Sequence, residues 1–530
     1  MKKRILISLA ALFVALGVSS QTQVNVKVAE GILAGTDSSG VKIFKGVPFA
    51  APPVGNLRWR EPQPVACWQG VRDATKFGPN PMQERIFGDM NFGTKEMSED
   101  CLYLNIWTPA KTMKEKLPVL IYFNGGGLIA GSGSEPRYAG QALARKGVIA
   151  VTANYREGIF GFFSLRELSK ESGACSGNYG LMDQAAAIRW VKANIEAFGG
   201  DPQRITIAGE SAGSVSVSAL MASPMSKGLF AQAIGSSGSI LGLRPVPTLK
   251  EAEDEGRKIM ARAGCRNLKE LRAMPAEELM KKVHYSNMPT PCVDGRFFTE
   301  QPATTFDEGR QAHVPLLLGG NNQEMTMFVK TVDEAKAMAR QAFGADADSI
   351  FPLYGIQTDA DLQGRPGIDL ASDLFLDFST WRWGYIHALT GQQPVYRYRY
   401  CHPRPAMAVK GKVAGLAGGV QDASDAQPAV PRAKGAVHSA DIEYAMGTLP
   451  TNRVYDWQPE DYWVSDQFIN YYANFIKTGN PNGLGLVEWP QTNGEAVEPI
   501  LQLDVNSFVS RDAKREQRNK TILRLVCNGK

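Results

Sequence analysis

The feature that most constrains the fold is an alternation of short apolar runs with helical segments between residues 118 and 240. Three of the apolar runs have strand length: 119–123, 148–153 and 205–208. Before the third run, four apolar residues recur at the spacing of one helix face: Ile188, Val191, Ile195 and Phe198. Strands that alternate with helices form a mainly parallel sheet that helices cover on both faces. We therefore predict an α/β fold.

The third apolar run leads directly into Gly209-Glu210-Ser211-Ala212-Gly213, which matches the pattern G-x-S-x-G. A helix-like segment, 212–222, follows it. This strand–turn–helix context is that of a nucleophile elbow, in which a sharp turn raises a serine hydroxyl above the sheet. An ordinary glycine-rich turn is the alternative interpretation. The context favours Ser211 as a nucleophile.

A second glycine-rich segment, Asn124-Gly125-Gly126-Gly127, follows the run 119–123. Attack of a serine on a carbonyl carbon creates an oxyanion, which preorganised N–H donors stabilise. We expect the backbone N–H groups of Gly125, Gly126 and Ala212 to be these donors. A flexible loop is the alternative interpretation of the three glycines.

Further along the chain the patterns are weaker. Residues 316–319 read as another strand. Residues 395–400 alternate tyrosine and arginine, which is typical of a half-exposed strand. Residues 403–437 are rich in alanine, glycine, proline and lysine and are predicted to form a surface loop.

A nucleophilic serine needs a base, and the base needs an acid to orient it. The base has few candidates, because the chain has only five histidines: His284, His313, His387, His402 and His438.

Hydrophobic residues make up 44% of the chain and charged residues 21%, which is a globular composition. The net charge of +5 on 530 residues is small and argues against a nucleic-acid partner.

Two long segments resemble the signatures of the type-B carboxylesterases, the carboxylesterase/cholinesterase group of α/β-hydrolases. One is 198–213, which contains Ser211, and the other is 99–109, Glu-Asp-Cys-Leu-Tyr-Leu-Asn-Ile-Trp-Thr-Pro. Further segments support the resemblance: 44–50, 154–156, 177–184 and 475–482. The resemblance implies an α/β-hydrolase fold with large insertions over the active site. It also implies hydrolysis of small to medium carboxylic esters through an acyl-serine intermediate, without a metal or organic cofactor.

The same resemblance implies a triad in the order Ser, Glu, His. Gly320-Asn321-Asn322-Gln323-Glu324 is similar to the family segment that holds the acid, and Gly435-Ala436-Val437-His438-Ser439-Ala440-Asp441 to the segment that holds the base. It therefore implies Glu324 as the acid and His438 as the base, with Glu210 and Asp441 in support. Two positions depart from the family pattern. Met325 replaces the glycine after the acid, and Asn124 replaces the histidine before the oxyanion glycines.

The N-terminus has the tripartite pattern of a secretory signal peptide. Lys2, Lys3 and Arg4 precede the apolar run 5–18, and the small residues Val18 and Ser20 precede a cut before Gln21. The run is about 14 residues, short of the roughly 20 that a membrane-spanning helix needs. An uncleaved membrane anchor is the alternative. We expect an exported protein, periplasmic or secreted, with residues 21–530 as a single α/β-hydrolase domain and no stable membrane insertion after cleavage.

Seven cysteines remain, an odd number, so at least one is unpaired within the chain. Export permits disulfides. The resemblance implies one between Cys67 and Cys101, and Cys292 is a candidate partner for Cys265. No Cys/His spacing indicates zinc, and we predict no metal.

The predicted partner is a small-molecule ester, and the sequence leaves the oligomeric state open. A catalytically inactive adhesion or binding protein on the same fold is the alternative function. Such relatives lose triad residues, whereas this chain keeps all three. Lipase, cholinesterase, polysaccharide-ester and drug-ester specificities remain open.

Overall fold

The computed structural model describes residues 22–173, 175–284, 288–415, 417–423 and 434–528. The predicted signal peptide at residues 1–20 lies outside the described residues. Within these ranges, no helix combines the length and the apolar character that crossing a membrane requires.

The described chain contains fifteen strands, and thirteen of them form one continuous sheet. The strands are β1 (Thr22–Val28), β2 (Gly31–Ser38), β3 (Val41–Pro48), β4 (Val71–Asp73), β5 (Tyr103–Thr108), β6 (Leu117–Phe123), β7 (Ile149–Ala153), β8 (Gly200–Glu210), β9 (Gln232–Ser236), β10 (Leu316–Asn321), β11 (Val395–Tyr400), β12 (Lys412–Ala414), β13 (Val420–Asp422), β14 (Ile500–Leu503) and β15 (Phe508–Ser510). Their order is β1-β2-β3-β5-β7-β6-β8-β9-β10-β11-β14-β15, with β4 beside β2, while β12 and β13 form a separate hairpin. Seven neighbouring strands in this order, β7-β6-β8-β9-β10-β11-β14, are parallel to one another. This arrangement confirms the predicted mainly parallel sheet.

Sixteen helices accompany these strands in the described ranges. They are α1 (Gln141–Arg145), α2 (Gly158–Phe162), α3 (Arg166–Ser172), α4 (Tyr179–Asn194), α5 (Ala212–Ala222), α6 (Leu249–Arg262), α7 (Leu268–Ala273), α8 (Ala276–Lys282), α9 (Pro302–Asp307), α10 (Val332–Phe343), α11 (Ala347–Tyr354), α12 (Arg365–Phe375), α13 (Asp377–Thr390), α14 (Ile442–Met446), α15 (Pro459–Thr478) and α16 (Ala513–Asn528). The predicted helix at 212–222 is α5. The segment 183–198 is confirmed as the C-terminal part of α4 followed by a 3₁₀ turn, Ile195–Phe198.

Strand β6 shows how the sheet separates two apolar cores. Side chains alternate between the two faces of a strand. Val119, Ile121 and Phe123 belong to the core that includes residues of α4 and α5. Leu120 and Tyr122 belong to the core on the other face, with residues of α1, α14 and α15. Since both faces are covered, the strand is apolar throughout, as is typical of a parallel sheet.

Two long excursions leave the sheet at the carboxyl ends of β10 and β11. Helices α10 to α13 lie between β10 and β11 and contribute, together with α16, to a third apolar cluster. The hairpin β12–β13 and helices α14 and α15 lie between β11 and β14. These excursions match the large insertions that the resemblance implies.

Strand β11 exists as predicted, but the prediction that it is half exposed is wrong. Five of its six residues are buried. Its tyrosines join the second apolar core, whereas Arg397 and Arg399 face Glu516 and Asp377 at 3.5 and 3.9 Å. The alternation therefore separates an apolar face from a face of buried ion pairs, and neither face meets solvent.

Candidate active site

Ser211 occupies a strained turn between β8 and α5. Its backbone has φ 55° and ψ −124°, a sparsely populated conformation that costs on the order of 1–3 kcal/mol and clusters at functional sites. The flanking glycines make the turn possible. A Cβ on Gly209 would lie 2.3 Å from the carbonyl carbon of Gly213, and one on Gly213 would lie 2.2 Å from the carbonyl oxygen of Phe123. Ser211 thus lies in the strand–turn–helix geometry that a nucleophile elbow requires.

The structure brings Ser211, His438 and Glu324 into one line of contacts. His438 Nε2 lies 3.0 Å from Ser211 Oγ, and His438 Nδ1 lies 2.7 Å from Glu324 Oε2. In the neutral imidazole, Nδ1–H donates to the carboxylate and Nε2 accepts from the serine hydroxyl. The histidine and the glutamate are 5% and 2% exposed, so their interaction is shielded from water.

Glu324 is held at the end of β10 by its second oxygen. Oε1 accepts hydrogen bonds of 2.6 Å from Ser237 Oγ and from the backbone N–H of Asn321. With Met325 in place of the usual glycine, the carboxylate therefore still reaches His438. The departure at position 325 does not displace the acid.

Asp441 lies below the triad and does not contact His438 directly. Its carboxylate accepts from Ser236 Oγ, from the Tyr398 hydroxyl at 3.1 Å and from Asn321 Nδ2 at 3.2 Å. Because the backbone of Asn321 also binds Glu324, Asp441 supports the acid through one intervening residue.

Glu210 is the charged neighbour of the histidine. Its Oε1 lies 3.4 Å from His438 Nε2 and accepts a 2.6 Å hydrogen bond from Ser439 Oγ. Burial raises the pKa of Glu210 to about 7, although His438 opposes the rise. Burial lowers the pKa of His438, but the carboxylates of Glu210 and Glu324 outweigh burial and raise it to about 9. Glu210 and Glu324 thus face the two ring nitrogens of His438 from opposite sides.

The glycine loop after β6 reaches the nucleophile. A Cβ on Gly125 would lie 2.7 Å from the carbonyl oxygen of Glu210 and 3.0 Å from Ser211 Cβ. Gly126 has φ 115°, and a Cβ there would lie 1.8 Å from the carbonyl oxygen of Ala130. Gly125, Gly126 and Ala212 line the same cleft as Ser211. The loop is thus a packed wall of the site, which excludes the flexible-loop interpretation.

The cleft above Ser211 has a volume of about 250 Å³. Apart from Glu210, Ser211, His438, Ser439 and the glycine loop, its lining is mostly apolar and includes Phe87, Met90, Leu128, Val215, Phe375 and Leu376. The Phe375 ring meets the His438 ring edge to face, with 5.0 Å between centroids. No lysine or arginine is among the described residues that line it. Sequence reasoning missed this lining, since no motif marks it and its members come from segments that are far apart in the chain.

Part of the predicted surface loop 403–437 is a wall of this cleft. Ala417 lines the cleft, and its carbonyl accepts a 2.8 Å hydrogen bond from Arg137 Nη1. Gly419 N–H donates to Asp89 Oδ2 at 2.8 Å. Arg404 is buried and binds the Gly418 carbonyl. The surface-loop prediction is therefore wrong for residues 417–419, because these buried polar groups pull the backbone inward.

All seven cysteines are free in the structure. The Cys67–Cys101 disulfide, and a bridge between Cys265 and Cys292, therefore stay predictions. Cys101 is buried, with 1% of its surface exposed, whereas Cys67 is exposed in the loop before β4. Burial raises the pKa of the Cys101 thiol and keeps it protonated. It packs as a small apolar side chain.

Comparison with known proteins decides the family, because residues 20–521 match the model of the carboxylesterase family. The chain belongs to the carboxylesterase family. A fumonisin B1 esterase of Sphingopyxis macrogoltabida is 42% identical over 375 residues, which cover 65% of this carboxylesterase and 67% of the relative. The para-nitrobenzyl esterase of Bacillus subtilis (strain 168) is 31% identical over 509 residues, covering 92% and 96% of the two chains.

A solved structure of a PNB esterase superposes with a TM-score of 0.77 at 30% sequence identity, covering 94% of this carboxylesterase and 100% of that chain. The likeness confirms the α/β-hydrolase fold. Family and relatives together identify this carboxylesterase as a hydrolase of carboxylic esters.

Proposed function

We propose that this carboxylesterase works through an acyl intermediate on Ser211, with His438 as the base and Glu324 as the orienting acid. The observation that carries the proposal is the pair of contacts on one imidazole, 3.0 Å to Ser211 Oγ and 2.7 Å to Glu324 Oε2. Nucleophile, base and acid in this order form the arrangement that activates a serine hydroxyl.

In the acylation step His438 Nε2 takes the proton of Ser211 as Oγ attacks the ester carbonyl carbon. The N–H groups of Gly125, Gly126 and Ala212 stabilise the oxyanion. When the tetrahedral intermediate collapses, the imidazolium gives its proton to the leaving alcohol oxygen. Water then attacks the acyl-serine as His438 accepts its proton; the imidazolium passes that proton to Ser211 Oγ as the carboxylic acid leaves. Glu324 stabilises the imidazolium in both steps.

The cleft supports uncharged esters of small to medium size as substrates. Its volume of about 250 Å³ lies near the lower end of small-molecule pockets, which are roughly 300–1,000 Å³. The mostly apolar lining favours burial of an apolar acyl or alcohol group. The name of the Bacillus relative, a para-nitrobenzyl esterase, is consistent with an aromatic alcohol group.

We also propose that residues 1–20 are a signal peptide and that residues 21–530 form one exported domain. The positive start and the short apolar run support this. Intact mass and N-terminal sequencing of the protein from its native host should give a chain that begins at Gln21. A chain that retains Met1 in the membrane fraction would instead identify an anchor.

The catalytic proposal is tested with p-nitrophenyl butyrate and an alkyl fluorophosphonate. Wild type should hydrolyse the ester and be labelled at Ser211, as peptide mapping would show. Ser211→Ala should do neither, whereas Ser223→Ala, a serine just beyond the end of α5, should do both. Hydrolysis that persists in Ser211→Ala would refute the proposal.

A further inference from the structure

The peptide planes of the oxyanion loop are held through their carbonyl groups. In a trans peptide, the C=O of one residue and the N–H of the next lie in one plane, and no described peptide bond is cis. The Tyr155 hydroxyl donates to the Asn124 carbonyl at 2.9 Å, which fixes the plane that carries Gly125 N–H. Asn124 Nδ2 donates to the Gly125 carbonyl at 3.1 Å, which fixes the plane that carries Gly126 N–H.

The side chain of Asn124 is itself held by Glu157. Nδ2 has two hydrogens, and it also donates to Glu157 Oε1 at 3.1 Å. Both residues are buried, with 2% and 0% exposed. A Cβ on Gly131 would lie 2.0 Å from Asn124 Nδ2, so the backbone of Gly131 closes the space around the amide. Asn124 therefore cannot turn away from Gly125 without losing Glu157.

The segment that carries Glu157 also holds the far end of the loop. The backbone N–H of Gly158 donates to the Leu128 carbonyl at 2.7 Å. Together with the contacts of Tyr155 and Glu157, this hydrogen bond means that residues 155–158 support the glycine loop at both of its ends.

We propose that Asn124 and Glu157 are positioning residues, which aim Gly126 N–H at the oxyanion by fixing the Gly125–Gly126 peptide plane. This inference rests on the proposed function of the site. The inference also assigns a role to Asn124, which replaces the usual histidine: the Asn124–Glu157 pair holds the oxyanion loop in this chain.

Glu157 accepts the hydrogen bond of Asn124 in a buried site. Burial raises the pKa of its carboxyl well above the usual value, although the hydrogen bond from Asn124 opposes the rise. The adjacent Arg156 is engaged with Asp183 through hydrogen bonds of 2.7 and 2.8 Å.

The test compares Glu157→Leu, which removes the acceptor, with Glu157→Gln, whose amide oxygen replaces it. Loss of one oxyanion donor lowers turnover by about 10²–10³. For a misaimed donor we expect kcat for p-nitrophenyl butyrate to fall about 10–100-fold in Glu157→Leu, with KM within about threefold. The inhibition constant of an aryl trifluoromethyl ketone, which forms an oxyanion on Ser211, should rise by the same factor as kcat falls. Glu157→Gln should recover most of kcat and keep the wild-type pH profile.

A double-mutant cycle separates positioning from general loosening. Asn124→Ala should resemble Glu157→Leu, and the double variant should lose no more than either single one, because both act through the same hydrogen bond. Leu143→Ala, a buried change in the core on the other face of the sheet, controls for lowered thermal stability. Its melting temperature should fall while kcat is kept.

Three results would overturn the inference: an unchanged kcat in Glu157→Leu, additive losses in the double variant, or equal losses in Glu157→Gln and Glu157→Leu. Failure of the proposed function looks different. In that case wild type itself neither hydrolyses the ester nor is labelled at Ser211 by the fluorophosphonate.

Discussion

Glu210 Oε1 lies 3.4 Å from His438 Nε2, the nitrogen that also faces Ser211 Oγ at 3.0 Å. A second carboxylate thus faces the catalytic side of the imidazole, while Glu324 holds the opposite nitrogen. The base carries a proton more readily than an ordinary histidine, and its proton affinity depends on both acids.

This relationship predicts the pH dependence of the enzyme. Because the pKa of His438 is raised to about 9, kcat/KM should rise through neutral pH and level off only in the alkaline range, as the imidazolium loses its proton. In Glu210→Gln the rise should move to lower pH, since one source of the raised pKa is removed. The plateau should fall, because the imidazolium of the transition state loses a neighbouring charge. Profiles of kcat/KM for p-nitrophenyl butyrate check both statements.

Glu278→Gln is the matched control, because this glutamate is half exposed in its ion pair on α8. Its profile should overlay that of wild type. A Glu210→Gln profile that also overlays wild type would refute the electrostatic role of Glu210.

The elbow predicts that Gly213→Ala is inactive. The new Cβ would lie 2.2 Å from the Phe123 carbonyl oxygen, so either the turn or the end of β6 must move. Displacement of Ser211 by about 1 Å is enough for a roughly 10²-fold loss of kcat. Gly242→Ala is the control, since a Cβ there meets nothing within 4 Å. Rates of fluorophosphonate labelling and of ester hydrolysis should fall together in the first variant and not in the second.

Phe375 is predicted to shape substrate choice. It lines the cleft and packs on the His438 ring with 5.0 Å between centroids. Phe375→Ala should favour bulkier acyl groups, so that the ratio of kcat/KM for p-nitrophenyl octanoate to that for the acetate rises at least about tenfold, which corresponds to roughly 1.4 kcal/mol. Phe328→Ala changes a phenylalanine that is 68% exposed and should leave the ratio alone. An unchanged ratio in Phe375→Ala would place the acyl group elsewhere.

His402 is predicted to stabilise the fold rather than to catalyse. Its ring nitrogens contact Asp461 and Asp504 at 2.9 and 3.1 Å. Burial lowers its pKa, but the two carboxylates outweigh burial and raise it to about 9. A histidine whose pKa is raised on folding stabilises the protein fully below its unfolded pKa of about 6.5, and this stabilisation is lost as pH rises through 9.

With allowance for partial exposure, we expect about 2 kcal/mol at pH 6. The melting temperature of His402→Gln should therefore lie below that of wild type at pH 6, and the two should converge toward pH 10. A difference that stays constant between these pH values would show that the charge of His402 is not its source. Ester hydrolysis at 25 °C should be unaffected.

Sequence pattern was sufficient to predict those features of the structure that lie within a few consecutive residues. The elbow around Ser211 and the glycine loop after β6 each lie within a few residues, and strand–turn–helix geometry is written into such segments. The pairing of Ser211 with Glu324 and His438 came from resemblance, because 227 residues separate the serine from the histidine. No periodicity in the chain joins positions so far apart.

Two predictions failed for one physical reason. The burial of β11 and the inward position of residues 417–419 both depend on what another part of the chain places opposite. Arg397 is buried because Glu516 lies across from it, 3.5 Å away. Gly419 turns inward because Asp89 accepts its N–H. Judged by residue type alone, polar or glycine-rich segments are expected at the protein surface. Such a segment is buried only when a distant part of the chain supplies hydrogen-bond or charge partners for its polar groups.

The sequence by itself determined the alternation of strands and helices and the turn that carries Ser211 between β8 and α5. Those properties follow from backbone sterics and from side-chain chemistry, which each residue carries with it. Tertiary structure alone decided the wall of the cleft, the place of Glu210 beside the base and the Asn124–Glu157 support of the oxyanion loop. These depend on distances between segments far apart in the chain, and such distances exist only once the two apolar cores have closed around the sheet.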